Sequence, residues 1–363
     1  MMRAALALAR RSLGRSWPNP AVGCVMVRDG RVIARGRTRQ GGRPHAEADA
    51  IAEAAVAGQS LKGATAYVTL EPCSHHGRTP PCADALVNAG VVRVVSAIED
   101  PDPRVKGQGH ALLKAAGIEV SVGDGAAEAA EINAGFFQRV REGRPLFHLK
   151  IASSLDGRIA TASGESKWIT GEAARMDGHR LRSIHDGILV GAATAAADDP
   201  DLGCRLPGLG ARSPLRLVLD SQARLSPTSK LAATARERPV WLLCTSSAEA
   251  GRRDALAKLG VEIVEVGAGA DGRVDVRSAA QVLGSRGMTR VLVEGGGQVA
   301  SSLLKAGLVD LVSSYRAGLL LGADSRSAVG ALGLGRLDSA PRFRLVSARQ
   351  LGGDTLETWK RGP

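Results

Sequence analysis

Aromatic side chains make up only 3% of the 363 residues. Surfaces that bind single-stranded nucleic acid stack bases on such rings, so a platform of that kind is not expected. Cysteine is also scarce, at five residues. That number does not build a disulfide framework, and it points to a reducing, cytoplasmic setting. No apolar run approaches the length of a membrane-spanning helix, so no membrane span is expected. The opening stretch, MMRAALALARRSLGRSW, sets arginines among apolar residues and lacks a long apolar core before a small-residue cleavage site. It reads as an amphipathic helix and not as a secretory signal. Nor is there a block of like charges. The net charge is +12, from 48 basic and 36 acidic residues, but the arginines are dispersed. Such a balance suits a phosphorylated small substrate and a phosphate-rich cofactor as well as it suits a nucleic acid.

What is present is an ordinary apolar content, 44%, in a chain long enough for about two domains. Residues 1–14 suggest a helix ending at Gly14. AVGCVMVR and RVIARG are β-type runs joined by Asp29-Gly30, a strong hairpin signal. HAEADAIAEAAVAG, introduced by Pro44, reads as a helix with His45 and Glu47 in its first turn. TAYVTL is a short buried strand, CADALVNAG a helix that Cys82 opens, and VVRVVSAI the next strand. EDPDPRVKGQG is a loop rich in Pro and Gly, after which HALLKAAG and IEVSV repeat helix and strand. Residues 126–143 read as one closing helix. This alternation predicts a layered α/β domain with largely parallel pairing. Gly143-Arg144-Pro145 breaks the pattern, which gives two domains, 1–143 and 146–363. In the second, strands are expected over 146–151, 187–191, 215–220, 239–244, 261–266 and 289–293. A helix QVASSLLKAG, a strand VDLVSSY and a hairpin turning at Gly352-Gly353 follow. The glycine-rich stretch 267–275 reads as a loop.

The chemistry of the first half is concentrated in His45-Ala46-Glu47 and in EPCSHHGRTPPC, residues 71–82. One imidazole and two thiolates, from His45, Cys73 and Cys82, are a three-ligand set for one zinc ion with a fourth position open to water. Zinc lowers the pKa of a bound water to about 7, and the carboxylate of Glu47 is placed to carry its proton. His-x-Glu followed by Pro-Cys and a second Cys is a zinc-deaminase pattern. That pattern separates its cysteines by two residues, whereas eight intervene here, Ser74 to Pro81. A closed structural site with His75 or His76 as fourth ligand is the alternative, and it would leave Glu47 without a role. Asn19 and Ala21-Val22-Gly23 could grip a heterocycle or simply form a turn. Cys24, Cys204 and Cys244 fit buried free thiols.

In the second half, Glu294-Gly295-Gly296-Gly297 lies between a strand and a helix, where backbone amides can bind phosphate. Glycine for packing alone is the competing reading, since no GxGxxG fingerprint is present. ADDP, 197–200, is a paired-acid turn without an assigned role.

Together PNPAVGCVMV, PHAE, TAYVTLEPCSHHGRTPPC, SSLDGRIA, SGESKWIT, ADDP and LVEGGG resemble, in this order, the bifunctional riboflavin-biosynthesis deaminase–reductases. The resemblance covers nearly the whole chain and is weakest over 206–285. It implies an N-terminal three-layer, cytidine-deaminase-like α/β domain and a C-terminal α/β domain similar to dihydrofolate reductase. The first would remove the 2-amino group of a phosphoribosylamino-diaminopyrimidinone as ammonia, with zinc on His45, Cys73 and Cys82 and Glu47 as proton shuttle. The second would use NADPH to reduce the ribosyl group. The resemblance further implies cofactor contacts at Ala152, Trp168, Thr194, Asp198, Ser221, Gly296, Gly297 and Gln298. It implies substrate contacts at Ser166, Arg182, Leu202, Arg205 and Glu294. Arg182 and Arg205 suit phosphate, or else surface salt bridges. The chain departs from the family at Thr38, Lys167, Gly203 and Gly318, where His, Gln, Thr and Pro are usual. A homo-oligomer is expected, with no nucleic acid and no membrane as partner. The rival readings are a nucleic-acid base deaminase, which salt-dependent RNA binding would reveal, and a zinc-stabilised scaffold, which would unfold without metal.

Overall fold

The computed structural model describes residues 1–75 and 80–362. The chain divides into two compact units, Met1–Gly143 and Arg144–Pro363.

In the first unit the elements are α1 (Met2–Arg10), β1 (Gly23–Arg28), β2 (Arg31–Arg37), α2 (Ala46–Val56), β3 (Thr65–Val68), α3 (Cys82–Asn88), β4 (Arg93–Ser96), α4 (Gln108–Ala115), β5 (Glu119–Val122), α5 (Ala126–Ile132) and α6 (Ala134–Glu142). One sheet of order β2-β1-β3-β4-β5 runs through it. The hairpin turns at Asp29-Gly30, where both residues take positive φ, 52° and 72°. β1 is antiparallel to both β2 and β3, while β3, β4 and β5 are mutually parallel. Pairing is therefore less parallel than the sequence suggests. Yet β1 alone runs against the others, so β2, β3 and β4 all end at one edge.

Strand alternation makes three layers. Cys24 and Met26 of β1 pack with Ala46 and Ala50 of α2, Leu86 of α3 and Leu113 of α4. Val25 and Val27 pack on the opposite face with Met2, Leu6 and Ala9 of α1 and with Ala129 and Ile132 of α5. Two expectations of helix length are corrected. α1 stops at Arg10 and turns lead from there to Gly14. The stretch 126–143 is two helices, broken at Asn133. Asn133 is fully buried; its side chain accepts from the Ala21 amide at 2.9 Å and donates to the Ala21 carbonyl at 3.1 Å. A side chain that serves as a β-bridge partner to a distant segment fixes the backbone where the two helices meet.

The second unit comprises β6 (Leu146–Ser153), β7 (Arg158–Ala160), α7 (Glu172–Ser183), β8 (Gly187–Gly191), α8 (Ala192–Asp198), β9 (Leu215–Leu219), α9 (Lys230–Ala233), β10 (Val240–Cys244), α10 (Ala250–Lys258), β11 (Glu262–Glu265), α11 (Val276–Ser285), β12 (Arg290–Val293), α12 (Gly297–Lys305), β13 (Val309–Arg316), β14 (Arg326–Ser327), β15 (Phe343–Leu351) and β16 (Asp354–Arg361). Its nine-stranded sheet has the order β11-β10-β9-β8-β12-β6-β13-β16-β15. The pairs from β11 to β13 are parallel, and β16 and β15 close the edge antiparallel. Ile188, Val218, Leu242, Leu292 and Tyr315 of the strands pack with Leu181 of α7 and Leu256 of α10. The hairpin turns at Gly352-Gly353, and 267–275 is a loop that carries an isolated β-bridge, Ala268 to Val274. The cores of both units rest on strands buried on both faces, as parallel sheets require.

α2 lies very close to the sheet at Gly36 of β2. A Cβ there would run into the Ala46 carbonyl and the Ala50 amide. Gly36→Ala is expected to cost about 1–3 kcal/mol, the usual cost of overpacking, and to lower metal content because α2 begins directly after His45. Thermal unfolding and metal analysis check this; an unchanged melting temperature would show that α2 tolerates a larger neighbour.

Candidate deaminase and reductase sites

Three side chains of metal-ligating type meet at the edge where β2, β3 and β4 end. His45 is the residue before α2, in extended conformation. Cys73 follows β3, and Cys82 is the first residue of α3. His45 Nδ1 lies 3.6 Å from Cys73 Sγ and 3.4 Å from Cys82 Sγ, and all three ligating atoms fall within 4.8 Å of one another. Zinc bonds of about 2.3 Å to sulfur and about 2.05 Å to nitrogen, at a tetrahedral angle, put such atoms about 3.5 Å apart. The donor set therefore fits zinc in type and in spacing. His75 is not part of the cluster, and His76 lies outside the described residues. Among the described residues there is no fourth ligand.

The electrostatics suit a cation. The Cys73 thiol is pushed down to about 4, first by its hydrogen bond with the Cys82 thiol and then by His45. The amide of Cys82, at the start of α3, donates to Cys73 Sγ at 3.3 Å, and such amides favour thiolate. The Cys82 thiol is held up by the hydrogen bond to Cys73 and by burial. Asn19 approaches the other ring nitrogen, 3.2 Å from His45 Nε2, and donates to the Gly42 carbonyl at 2.9 Å. It braces the imidazole from the side away from the sulfurs.

Glu47 stands beside this set without joining it. It is buried on α2, and its carboxyl is raised to about 7, chiefly by burial and then by Cys73. A carboxyl poised there can both take and return a proton near neutral pH.

A cavity of about 110 Å³ adjoins the site, with Asn19, Thr38, His45, Glu47, Cys73 and His75 in its walls. Asp100, Asp102 and Arg104 also line it, and sequence reasoning assigned them no role. Burial raises the Asp100 carboxyl to about 6, whereas the hydrogen bond from Arg104, 3.0 Å between Nε and Oδ1, holds Asp102 below its usual range. Their loop is anchored by Glu71, which is buried and accepts the amides of Asp100, Gly107, Gly109 and His110 at 2.9–3.2 Å. A carboxylate that replaces water for four backbone donors fixes a loop strongly. The only signal in the sequence is the position of Glu71 next to Pro72-Cys73.

The second unit carries a cavity of about 1480 Å³ at the C-terminal ends of β6, β8, β9 and β12. It brings together Ala152, Trp168, Thr194, Asp198, Ser221, Gly296, Gly297 and Gln298, and also Ser166, Arg182, Leu202, Arg205 and Glu294. Its size and its glycine turn fit a dinucleotide. The Gly296 amide donates to Thr194 Oγ1 at 3.0 Å. The amides of Gly297 and Gln298 make no hydrogen bond within the described residues and sit at the start of α12, where an anion is favoured.

Arg182 is less open to phosphate than its charge suggests. Its Nε and Nη2 donate to the two oxygens of Glu294, each at 2.8 Å, and Nη1 donates to the Gly203 carbonyl at 2.9 Å. Burial would raise the Glu294 carboxyl, but Arg182 and Lys150 outweigh it and hold it down to about 2. Lys150 Nζ is 3.9 Å away; its part in this group was not read from the sequence. Arg205, by contrast, has no ion pair among the described residues. In the paired-acid turn, Asp199 has φ 38° and accepts the Lys230 amide at 2.8 Å, so it joins that turn to α9.

Comparison with known proteins agrees with both halves. A family model described as RibD C-terminal domain matches residues 145–356, and one described as cytidine and deoxycytidylate deaminase zinc-binding region matches residues 1–98. The riboflavin biosynthesis protein RibD of Escherichia coli is 42% identical, over 97% of this chain and 96% of that protein. The Aquifex aeolicus RibD is 36% identical, over 99% of this chain and 97% of its own length. Among solved structures, Acinetobacter baumannii RibD superposes with a TM-score of 0.87 at 40% identity, covering 100% of this chain and 98% of that one. A diaminohydroxyphosphoribosylaminopyrimidine deaminase/5-amino-6-(5-phosphoribosylamino)uracil reductase from Thermotoga maritima gives a TM-score of 0.86 at 35% identity, over 99% of this chain and 97% of that one.

Removing one thiolate leaves two protein ligands, too few to keep zinc at a tetrahedral site. Cys73→Ser and Cys82→Ser are each expected to lower bound zinc well below one per chain, with deamination falling in parallel. Metal analysis of the purified variants reads this directly; full zinc in both would remove these residues from the ligand set.

Proposed function

The chain belongs to the RibD family of riboflavin-biosynthesis enzymes, deaminase and reductase in one polypeptide, and on that premise we propose two consecutive reactions. The first unit hydrolyses the 2-amino group of 2,5-diamino-6-(5-phosphoribosylamino)pyrimidin-4-one. The second reduces the ribosyl group of the product with NADPH, giving 5-amino-6-(5-phosphoribitylamino)uracil. The observation that carries the first assignment is the open triad of His45, Cys73 and Cys82 beside a buried Glu47 whose carboxyl is raised to about 7. A nucleic-acid base deaminase is less well supported, because the relatives match over both halves of the chain.

His45, Cys73 and Cys82 would hold the zinc. Zinc supplies Lewis acidity, which makes water a nucleophile near neutral pH. Glu47 takes the proton released as water adds to the ring carbon and returns it to the departing amino group. The second proton of the water goes to the ring nitrogen; ammonia leaves, a ring carbonyl remains, and Glu47 ends the cycle in its starting state. Asn19 and the Glu71-anchored loop with Asp100, Asp102 and Arg104 border the cavity that would receive the pyrimidine.

In the second unit NADPH supplies the hydride. Gly296, Gly297 and Gln298 would bind its phosphates, with Ala152, Trp168, Thr194, Asp198 and Ser221 as further contacts. Arg205 is free to meet the substrate phosphate, with Ser166 and Leu202 beside it. Arg182 fixes Glu294 through two parallel hydrogen bonds, a rigid pairing that orients a carboxylate toward substrate. Among the described residues no helix is long and apolar enough to cross a membrane. The reading includes a cytoplasmic setting and a homo-oligomer. The assembly is supported by β15, an edge strand with Leu345 and Val346 half exposed.

Glu47→Gln should keep its zinc, since the carboxylate is not a ligand, and lose deamination by about 10²–10⁴-fold, the usual worth of general acid–base catalysis. Given the deaminated substrate and NADPH, the same preparation should reduce it at a near-normal rate. Zinc content, ammonia release and NADPH oxidation measured together would expose an error if reduction failed alongside deamination in a folded protein. Gly296→Asp should raise the Michaelis constant for NADPH and leave deamination unchanged, because a carboxylate at the start of α12 repels phosphate. An unchanged cofactor response would assign that turn to packing.

A further inference from the structure

We propose that His179 is the positioning residue for Arg205: its imidazole fixes the backbone from which that guanidinium reaches the substrate phosphate, and it does so only while the ring is neutral. The inference rests on reading Arg205 as a phosphate contact of the second unit.

The segment 201–205 makes no backbone-to-backbone hydrogen bond among the described residues. Side chains hold it instead, as its buried polar groups require. The Gly203 amide donates to Asp201 Oδ1 at 2.8 Å, and the Gly203 carbonyl accepts from Arg182 Nη1 at 2.9 Å. The Cys204 amide donates to Ser213 Oγ at 2.9 Å. The Arg205 amide donates to His179 Nδ1 at 3.3 Å. Arg238 clamps the Asp201 carboxylate through Nη1 and Nη2. Leu202 takes φ 61°, a conformation that persists in a residue with a Cβ only where its surroundings enforce it.

His179 touches this segment twice. Besides the ring contact, its carbonyl accepts from the Cys204 thiol at 3.3 Å. It lies on α7 one turn before Arg182, which grips the Gly203 carbonyl. The Arg205 side chain is left exposed at the cavity wall. A long, free side chain loses less freedom on binding when its backbone is already fixed.

Of these supports, only His179 changes charge near neutral pH. Arg182 and Arg238 stay charged and Ser213 stays neutral. The hydrogen bond from Arg238 holds the Asp201 carboxyl well below its usual range. Burial, then Arg182 and Arg205, lower the imidazole, while Glu294 after β12 and the Gly203 carbonyl oppose them. Neutral Nδ1 offers a lone pair to the Arg205 amide; protonated Nδ1 carries a hydrogen and cannot accept. The charged ring would also stand beside two guanidinium groups. The contact is therefore present at neutral pH and is lost as pH falls through the lowered value.

The test is steady-state reduction of the deaminated substrate by NADPH in the full chain, with KM and kcat read separately near neutral pH and at about pH 5.5. At neutral pH His179→Ala should raise KM for the substrate by about 3- to 10-fold, the worth of one hydrogen bond, with kcat nearly unchanged, which also reports a folded protein. His179→Asn keeps an acceptor and cannot be protonated, so it should restore the neutral-pH KM. On acidification the wild-type KM should rise about 3- to 10-fold more than that of His179→Asn; titration of the substrate phosphate affects both alike. In an Arg205→Gln background His179→Ala should add nothing. An unchanged KM in His179→Ala, the same pH course in wild type and His179→Asn, or additive effects in the double variant overturns the positioning role and leaves Arg205 as a phosphate contact. An unchanged KM in Arg205→Gln removes that contact, and the proposal with it.

Discussion

Strands that point the same way deliver all their outgoing turns to one edge of a sheet, and helix starts gather there with their free amides. In the first unit this places the segment after β2, the segment after β3 and the loop after β4 side by side, although β1 intervenes antiparallel. His45, Cys73 and the Asp100–Arg104 loop come from those three segments. In the second unit the same geometry collects Ala152, Gly191, Ser221 and Glu294 from the ends of β6, β8, β9 and β12. Both sites depend on this common direction, and the buried strands that enforce it are the cores of the two units.

Each site then has to hold charge away from water. The first does so with mutual arrangement: an amide and a thiol favour the Cys73 thiolate, and burial raises the Glu47 carboxyl to about 7. The second does so by pairing. Glu294 is largely shielded from water, yet two hydrogen bonds from Arg182 and the nearby Lys150 keep it ionised. The two carboxyls differ accordingly: that of Glu47 can change state near neutral pH, whereas that of Glu294 stays ionised.

The candidate ligand set is legible in the sequence because its signal is local. His45 and Glu47 are two residues apart, and Cys73 and Cys82 bracket one loop. Residue type, order and the turn into each helix are enough. The strands of the second unit are legible for the same reason, as short apolar runs between turn residues. The break at Asn133 is not, because the helical pattern continues through it and its partner is Ala21. The role of Glu71 is hidden likewise, since its four amide donors lie 29 to 39 residues further on.

By itself, then, the sequence determined which side chains could carry the chemistry and roughly where most helices and strands lie, since propensities, turns and motif spacing act over a few residues. Only the tertiary structure decided which of those side chains are free to act. Arg182 and Glu294 are 112 residues apart, and their pairing occupies two of the Arg182 donors with a carboxylate. Burial and charge pairing are sums over neighbours in space, and no local window of sequence contains those neighbours.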